Sequence, residues 1–370
     1  MLRAPHLRDP VSQHGYVYAT REFPACSFPA ARGVKSLPAK DFHDRMKRIT
    51  ISATVFSNTL EQHILPHQTE NMRALLHAEM RRSMSYKIFT DATSDLPAKF
   101  AEQLHVTILP MGFTMEEKEY FYVPGKSDMP IETFYEKMRA ATPVTTAQVN
   151  VFTFIEAFEP VLKAGEDVLY IGFSSKLSGT VQSGFSAAEE LRAKYPERKI
   201  IVIDSLCASL GEGLLVYYAA RKSDLPIEEL AKWVEETKLN FIHWFTVDDL
   251  VYLKRGGRIS GATAAIATIL NIKPVMHVDN EGFLVAVEKV QGRKKSLRAL
   301  FDRMAKTVDT VATDTVFVGH CAASEDAEYV ASLVREAYPA MTVHVDDIGT
   351  SVGAHSGPGT IALFFVGSER

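Results

Sequence analysis

Asp167-Val168-Leu169-Tyr170-Ile171-Gly172-Phe173-Ser174-Ser175-Lys176-Leu177-Ser178-Gly179-Thr180 decides how this chain folds. Its first half is an apolar run of strand length, and its second half is rich in hydroxyls and glycine. A helical pattern follows to Tyr195, with Val181, Phe185, Ala188 and Leu191 on one stripe, and Lys199–Asp204 reads as another apolar strand. Strand, polar loop, helix and strand in that order predict a parallel sheet covered by helices on both sides.

The same grammar extends upstream. Tyr86–Thr90 reads as a short strand, followed by the capping cluster Thr93-Ser94-Asp95, Pro97 and a helical run through Leu104. Ile131, Phe134, Tyr135 and Met138 recur at helical spacing. So do Phe152, Ile155, Phe158 and Leu162, between an Asn150 cap and a Gly165 stop. After Val247 the pattern changes. Asp248–Lys254 and Ser260–Leu270 read as helices around a Gly256-Gly257 turn, with Gly256 as the residue that closes the first. Ile272–Val278 and Phe283–Val290 then read as a hairpin. A helix, a strand, a helix and two strands complete the chain. The expected fold class is α/β in two domains: an N-terminal parallel-sheet α/β domain over 84–247 and a C-terminal α+β domain with a mixed or antiparallel sheet over 248–370.

Composition agrees with a protein of this kind. The 370 residues are 46% hydrophobic and 23% charged, enough for about two cores. A net charge of −4 argues against nucleic acid as a partner. Residues 1–83 differ from the rest, with a net charge of +5, six of the twelve His and six prolines. They are expected to be a disordered or non-native extension with a helix near Glu70–Arg82, and the ordered protein is expected to begin near Met84. Cys26, Cys207 and Cys321 are far apart, which indicates neither a disulfide framework nor a zinc site, and no HExxH pattern suggests a metal. No stretch is long and apolar enough to span a bilayer and no secretory signal is read, so the expected location is cytoplasmic.

Three polar segments stand out. Ser174 to Thr180 lies where a buried strand ends and a helix begins, a place where ligands collect in open α/β sheets. Free backbone N–H groups there, with the hydroxyls of Ser174, Ser175, Ser178 and Thr180, suit an anion; the plainer reading makes Ser178 only a helix cap. Walker and GxGxxG spacings are absent, and neutral donors suit a carboxylate better than a triphosphate. Thr142–Gln148 and Gly353–Gly359 read as loops. In the second, Gly357 and Gly359 allow close backbone approach and His355 can donate to an anion or simply complete a loop. Arg255 and Arg258, in the cationic turn Lys254–Arg258, can meet a phosphate-bearing partner or an anionic membrane. Ser178 or Ser356 with His355 and Asp204 or Asp346 would also be the ingredients of a serine esterase, residue types that can be assembled from any chain of this size.

Taken together, the motifs resemble the DegV family of fatty-acid-binding proteins, which includes the acyl-carrying subunits of bacterial fatty acid kinase. They occur in family order from Tyr86 onward: Thr90 to Pro97, Thr146-Ala147-Gln148, Ser174 to Thr180, Tyr252 to Ile259, Lys273-Pro274, and Gly353 to Gly359. The resemblance implies a non-catalytic carrier that holds one long-chain fatty acid in an apolar tunnel between two domains. It implies that Thr146, Ser178 and His355 bind the carboxylate, supported by Ser174, Ser175, Gly179, Thr180, Gly357 and Gly359. It further implies a fatty acid kinase ATP-binding subunit as partner, acyl phosphate passed on to phospholipid synthesis, and no other cofactor. Ala92 and Ala147 depart from the family, each standing where serine is usual. Phe113, Ile266, Ile269, Leu270, Val275 and Phe364 are the candidate tunnel lining. Burying about sixteen carbons at about 0.8 kcal/mol each would supply roughly 12 kcal/mol of gross driving force, before ordering costs.

Overall fold

A computed structural model describes residues 85–259, 271–368 and 370. The expectations for residues 1–83, for the helix near Glu70–Arg82 and for the helix Ser260–Leu270, with Ile266, Ile269 and Leu270, lie outside the described residues.

The first sheet is parallel. It contains β1 (Tyr86–Asp91), β2 (Val106–Leu109), β7 (Asp167–Gly172) and β8 (Ile200–Asp204) in the order β2-β1-β7-β8. Leu169 aligns with Ile88 on one side and Ile201 on the other. All six residues of β7 are buried because helices cover both faces, which is why its sequence is a continuous apolar run instead of an alternating one. The helices α3 (Val151–Lys163) and α4 (Thr180–Lys194) pack against each other beside this sheet. Asn150 caps α3 as expected, its Oδ1 accepting the Thr153 N–H at 2.9 Å. Asn150→Ala is expected to cost about 1 kcal/mol in urea denaturation without changing the circular dichroism of the folded state.

The second sheet is mixed. Its order is β11-β10-β9-β14-β12-β13, formed by β9 (Phe241–Thr246), β10 (Ile272–Val278), β11 (Leu284–Gln291), β12 (Thr315–His320), β13 (Thr342–Asp347) and β14 (Ile361–Val366). All pairs are antiparallel except β12 with β13. The expected hairpin is present as β10 and β11. β9 precedes the change of pattern at Val247 yet pairs with β10 and β14, so the chain passes from one sheet to the other between β8 and β9. On β14, Ile361, Leu363 and Phe365 face one core while Ala362, Phe364 and Val366 face the other, the two-residue period of a strand covered on both sides.

Two segments expected to be loops are regular. Val144–Ala147 is β6, the edge of a small antiparallel sheet in which Thr146 lies opposite Phe113 of β3 (Met111–Met115). Its alternating half-buried and exposed residues and its Val-Thr-Thr run suit an edge strand. Thr350–Ser356 is a helix, α10, so His355 sits in its last turn, and Gly357 ends it at a φ of 82° that only glycine adopts freely. Gly256 was the expected turn residue after the helix α7 (Val251–Arg255), but it stays helical and Gly257 takes the left-handed conformation at φ 70°.

Candidate functional site

Between the two larger sheets lies a cavity lined mainly by apolar side chains. The parallel sheet contributes the segments that follow the carboxyl ends of its strands: Thr93 after β1, Phe173, Leu177 and Ser178 after β7, and Ala208 and Ser209 after β8. The chain leaves β1 toward β2 on one side and β7 toward β8 on the other, so the cavity opens at the point where the strand order reverses. The mixed sheet supplies Phe245, Val278, Leu284, Ala362 and Phe364, and α10 supplies Val352 and His355. Of the lining expected from sequence, Phe364 is present. Phe113 instead stacks between Tyr120 and Phe134 in the core, and Val275 belongs to the core on the far side of the mixed sheet.

Thr146, Ser178 and His355 all line this cavity. Thr146 Oγ1 and His355 Nε2 are hydrogen-bonded at 2.9 Å, although 209 residues separate them in sequence. Ser178 Oγ lies 3.0 Å from Thr180 Oγ1 and accepts the Thr180 N–H at 3.2 Å. Ser178 therefore serves the start of α4 as well as the cavity. Burial, aided by the nearby Arg258 guanidinium, lowers the His355 pKa to about 4, so its ring is neutral at pH 7. A Cβ on Gly256 would lie 2.3 Å from His355 Nδ1, so the side-chain-free Gly256 is what lets α7 approach the imidazole.

The supporting residues hold this end of the cavity in shape. Thr180 Oγ1 accepts the Val149 N–H at 3.3 Å, tying the Ser178 loop to the segment after β6. Gly179 passes so close to Gln148 that a Cβ there would lie 2.3 Å from the amide oxygen. Ser174 Oγ donates to the Gly282 carbonyl at 2.9 Å, fastening the tip of the β10–β11 hairpin over the loop, while the exposed Ser175 donates its N–H to Asp204 at 3.1 Å. Gly357 and Gly359 turn the chain from α10 into β14. Arg258 Nε donates to the Leu177 carbonyl at 3.1 Å and its guanidinium also reaches the Gly256 carbonyl. Arg258 thus cross-links the two loops that flank the cavity, a positioning role that the sequence did not reveal. Arg255 is exposed.

A second, more polar recess meets the first cavity at Thr146, Arg258 and His355, and it is also lined by Thr142, Thr145, Tyr252 and Arg255. The site is therefore oily on one side of the Thr146–His355 pair and polar and cationic on the other. The triad of Ser178, His355 and Asp204 is not assembled. His355 Nε2 bonds Thr146 and not Ser178, and Asp204 accepts the backbone N–H groups of Ser175 and Leu206. No helix of the described residues is long and apolar enough to cross a membrane.

Behind the cavity lie buried acids that bond to the side chains of its wall, Thr93 and Ser209. Ser209 Oγ donates to Asp95 Oδ2 at 2.5 Å, and Asp95 Oδ1 accepts the Gly349 N–H at 2.9 Å, which joins the parallel-sheet side to α10. Tyr170 donates to Asp91 at 2.5 Å, and Thr93 also bonds Asp91. Burial pushes the Asp95 pKa up to about 8, with Asp91 and Asp347 adding to it, and burial also raises Asp91 and Glu212. The Thr-Ser-Asp run at 93–95 carried a signal, but one that reads equally as helix capping.

A sequence profile of the DegV family, described as an uncharacterised protein family, matches residues 85–368. DegV domain-containing protein CPE0026 of Clostridium perfringens is 43% identical over 287 residues, covering 77% of this chain and 98% of that protein. YteA of Lactococcus lactis, also a DegV domain-containing protein, is 34% identical over 285 residues, covering 76% of this chain and 98% of its own length. Among solved structures, DegV of Bacillus subtilis, described as a fatty acid binding protein, aligns with a TM-score of 0.67 at 26% identity, covering 77% of this chain and all of that one. A Thermus thermophilus DegV family protein described for its fatty acid binding aligns with a TM-score of 0.68, also at 26% identity and with the same coverage. The profile spans Ser85 to Ser368 and the Clostridium perfringens relative is 43% identical over nearly its whole length, so the chain belongs to the DegV family.

Proposed function

We propose that this protein binds one long-chain fatty acid in the cavity between the two sheets and presents its carboxylate to a kinase partner. The observation that carries the reading is the change of character at Thr146 and His355, where an apolar cavity gives way to a polar, cationic recess. An alkyl chain in the cavity removes its surface from water at about 25 cal/mol per Å², and the head group needs only orientation. Thr146 Oγ1, Ser178 Oγ and the neutral His355 ring provide uncharged donors for a carboxylate, which enters between the paired Thr146 and His355. A ligand held this way leaves one carboxylate oxygen turned toward the recess. There Arg255 and Arg258 suit a transferred phosphate or an acidic partner surface, and an anionic membrane can meet the same charges transiently. The partner in this reading is the ATP-binding subunit of a fatty acid kinase in the cytoplasm, and the acyl phosphate serves phospholipid synthesis. The Bacillus subtilis and Thermus thermophilus relatives, described as fatty acid binding, support the ligand class.

Solvent extraction of the purified protein followed by mass spectrometry is expected to release about one fatty acid per chain. Recovery of none, with none taken up on incubation, would overturn the reading. Thr146→Val combined with Ser178→Ala is expected to retain lipid, because the apolar chain supplies most of the affinity. The same pair should cut acyl phosphate formation with the kinase subunit at least about tenfold, the loss expected when two orienting hydrogen bonds are removed.

A further inference from the structure

The hydroxyls that line the cavity have partners, with one exception among the described residues. Thr93 bonds Asp91, Ser209 bonds Asp95, Thr360 donates to backbone carbonyls, and Ser356 lies 3.4 Å from Cys321 Sγ. Ser351 lines the same cavity, is 4% exposed, and its Oγ has no hydrogen-bond partner. Such a group loses its bonds to water on folding and regains none, a sizeable cost in an apolar setting. Its place in the fold gives that cost a use. Ser351 and His355 are four residues apart on α10, hence on one face and about 6 Å apart along the helix axis. His355 also borders the outer recess and Ser351 does not, so Ser351 lies on the inner side of the head-group position.

We propose that Ser351 is a specificity-determining hydroxyl that recognises an acyl chain bearing its own hydroxyl within the first few carbons from the carboxylate. The inference rests on the cavity holding a fatty acid by its carboxylate at His355. An unsubstituted chain laid past Ser351 leaves Oγ unpaired. A hydroxyl near the carboxylate pairs with it, and each group satisfies the other away from water. A hydroxyl at the far end of the chain does not reach Ser351 and is itself stranded among apolar side chains. Discrimination between hydroxylated and plain ligands by a buried polar group follows the general rule that sites built to hydrogen-bond a substrate hydroxyl distinguish it strongly.

The test measures binding of palmitic acid and of 2-, 3- and 16-hydroxypalmitic acid to the delipidated full chain by competition with a fluorescent fatty acid. Wild-type protein is expected to bind the 2- or 3-hydroxy acid about tenfold more tightly than the 16-hydroxy acid, an effect of about one hydrogen bond. Ser351→Ala is expected to abolish that preference while binding palmitic acid as well as or better than wild type. Equal binding of the three hydroxy isomers by wild type overturns the proposal without any variant. A preference that survives Ser351→Ala also overturns it, as it would if a trapped water rather than the ligand met Ser351. If Ser351→Ala proves unstable, Ser351→Val gives the same comparison. Failure of wild type to bind palmitic acid and all three hydroxy acids would instead overturn the carrier reading itself.

Discussion

Ala362→Phe is expected to abolish retention of a sixteen-carbon acid while leaving the fold intact. Ala362 lies on β14, is 4% exposed, and lines the cavity beside Phe364, two residues on and facing the same way. Its neighbours across the sheet are Gly319 and Phe245. A phenyl ring at this position projects into space that the alkyl chain would occupy, so the substitution fills the cavity with protein. Overpacking a filled core costs typically 1–3 kcal/mol, and an existing cavity absorbs part of that strain. Extraction and mass spectrometry should therefore fall from about one fatty acid per chain to nearly none, with little change in thermal melting of the delipidated protein. Unchanged lipid content would place the ligand elsewhere.

The second large effect concerns pH. Asp95 is fully buried, bonded to Ser209 and to the Gly349 N–H, and its pKa is pushed up to about 8. Unfolded, it titrates near 3.9. Between these values the folded chain holds a proton that the unfolded chain has released, so the stability associated with Asp95 is fully present below about pH 4 and is lost as pH rises toward 8. The upper limit of that loss is about 6 kcal/mol. Asp95→Asn keeps an oxygen for the Gly349 N–H and sets an amide N–H against Ser209 Oγ, which then accepts instead of donating, and it does not ionise. Urea denaturation at pH 5 and pH 8.5 is expected to show wild type losing several kcal/mol more than Asp95→Asn between the two. Parallel losses in the two proteins would assign the alkaline sensitivity to Asp91 and Glu212, which burial also raises.

The strength of these effects traces to residues that sequence reading treats very unequally. β7 and the Ser174–Thr180 loop are legible because a strand covered on both faces must be apolar throughout and the loop after it must be polar. Leu210–Ala220, by contrast, is a helix with nine of its eleven residues buried, so it presents no polar stripe from which a helical period could be read. The small sheet that carries Thr146 is built from short, partly exposed strands with weak alternation, and its edge strand looks like a loop until β3 lies beside it. The helical character of Thr350–Ser356 is likewise hidden, because a short run containing Gly353 and two serines before Gly-Pro-Gly has little helix propensity of its own.

By itself, the sequence determined the parallel α/β beginning, the later hairpin and the residue types of the site, since hydrophobic period and turn chemistry are local. It flagged Ser178 and His355 as anion donors from residue type and place, but grouped them with Thr146 only through motif order. Tertiary structure alone decided that Thr146 and His355 touch across 209 residues, that Arg258 fastens two loops instead of standing free, and that Ser351 is buried without a partner. Those facts depend on how three sheets and a short helix close around one cavity, and hydrogen bonds between distant segments leave no periodicity in the chain that makes them.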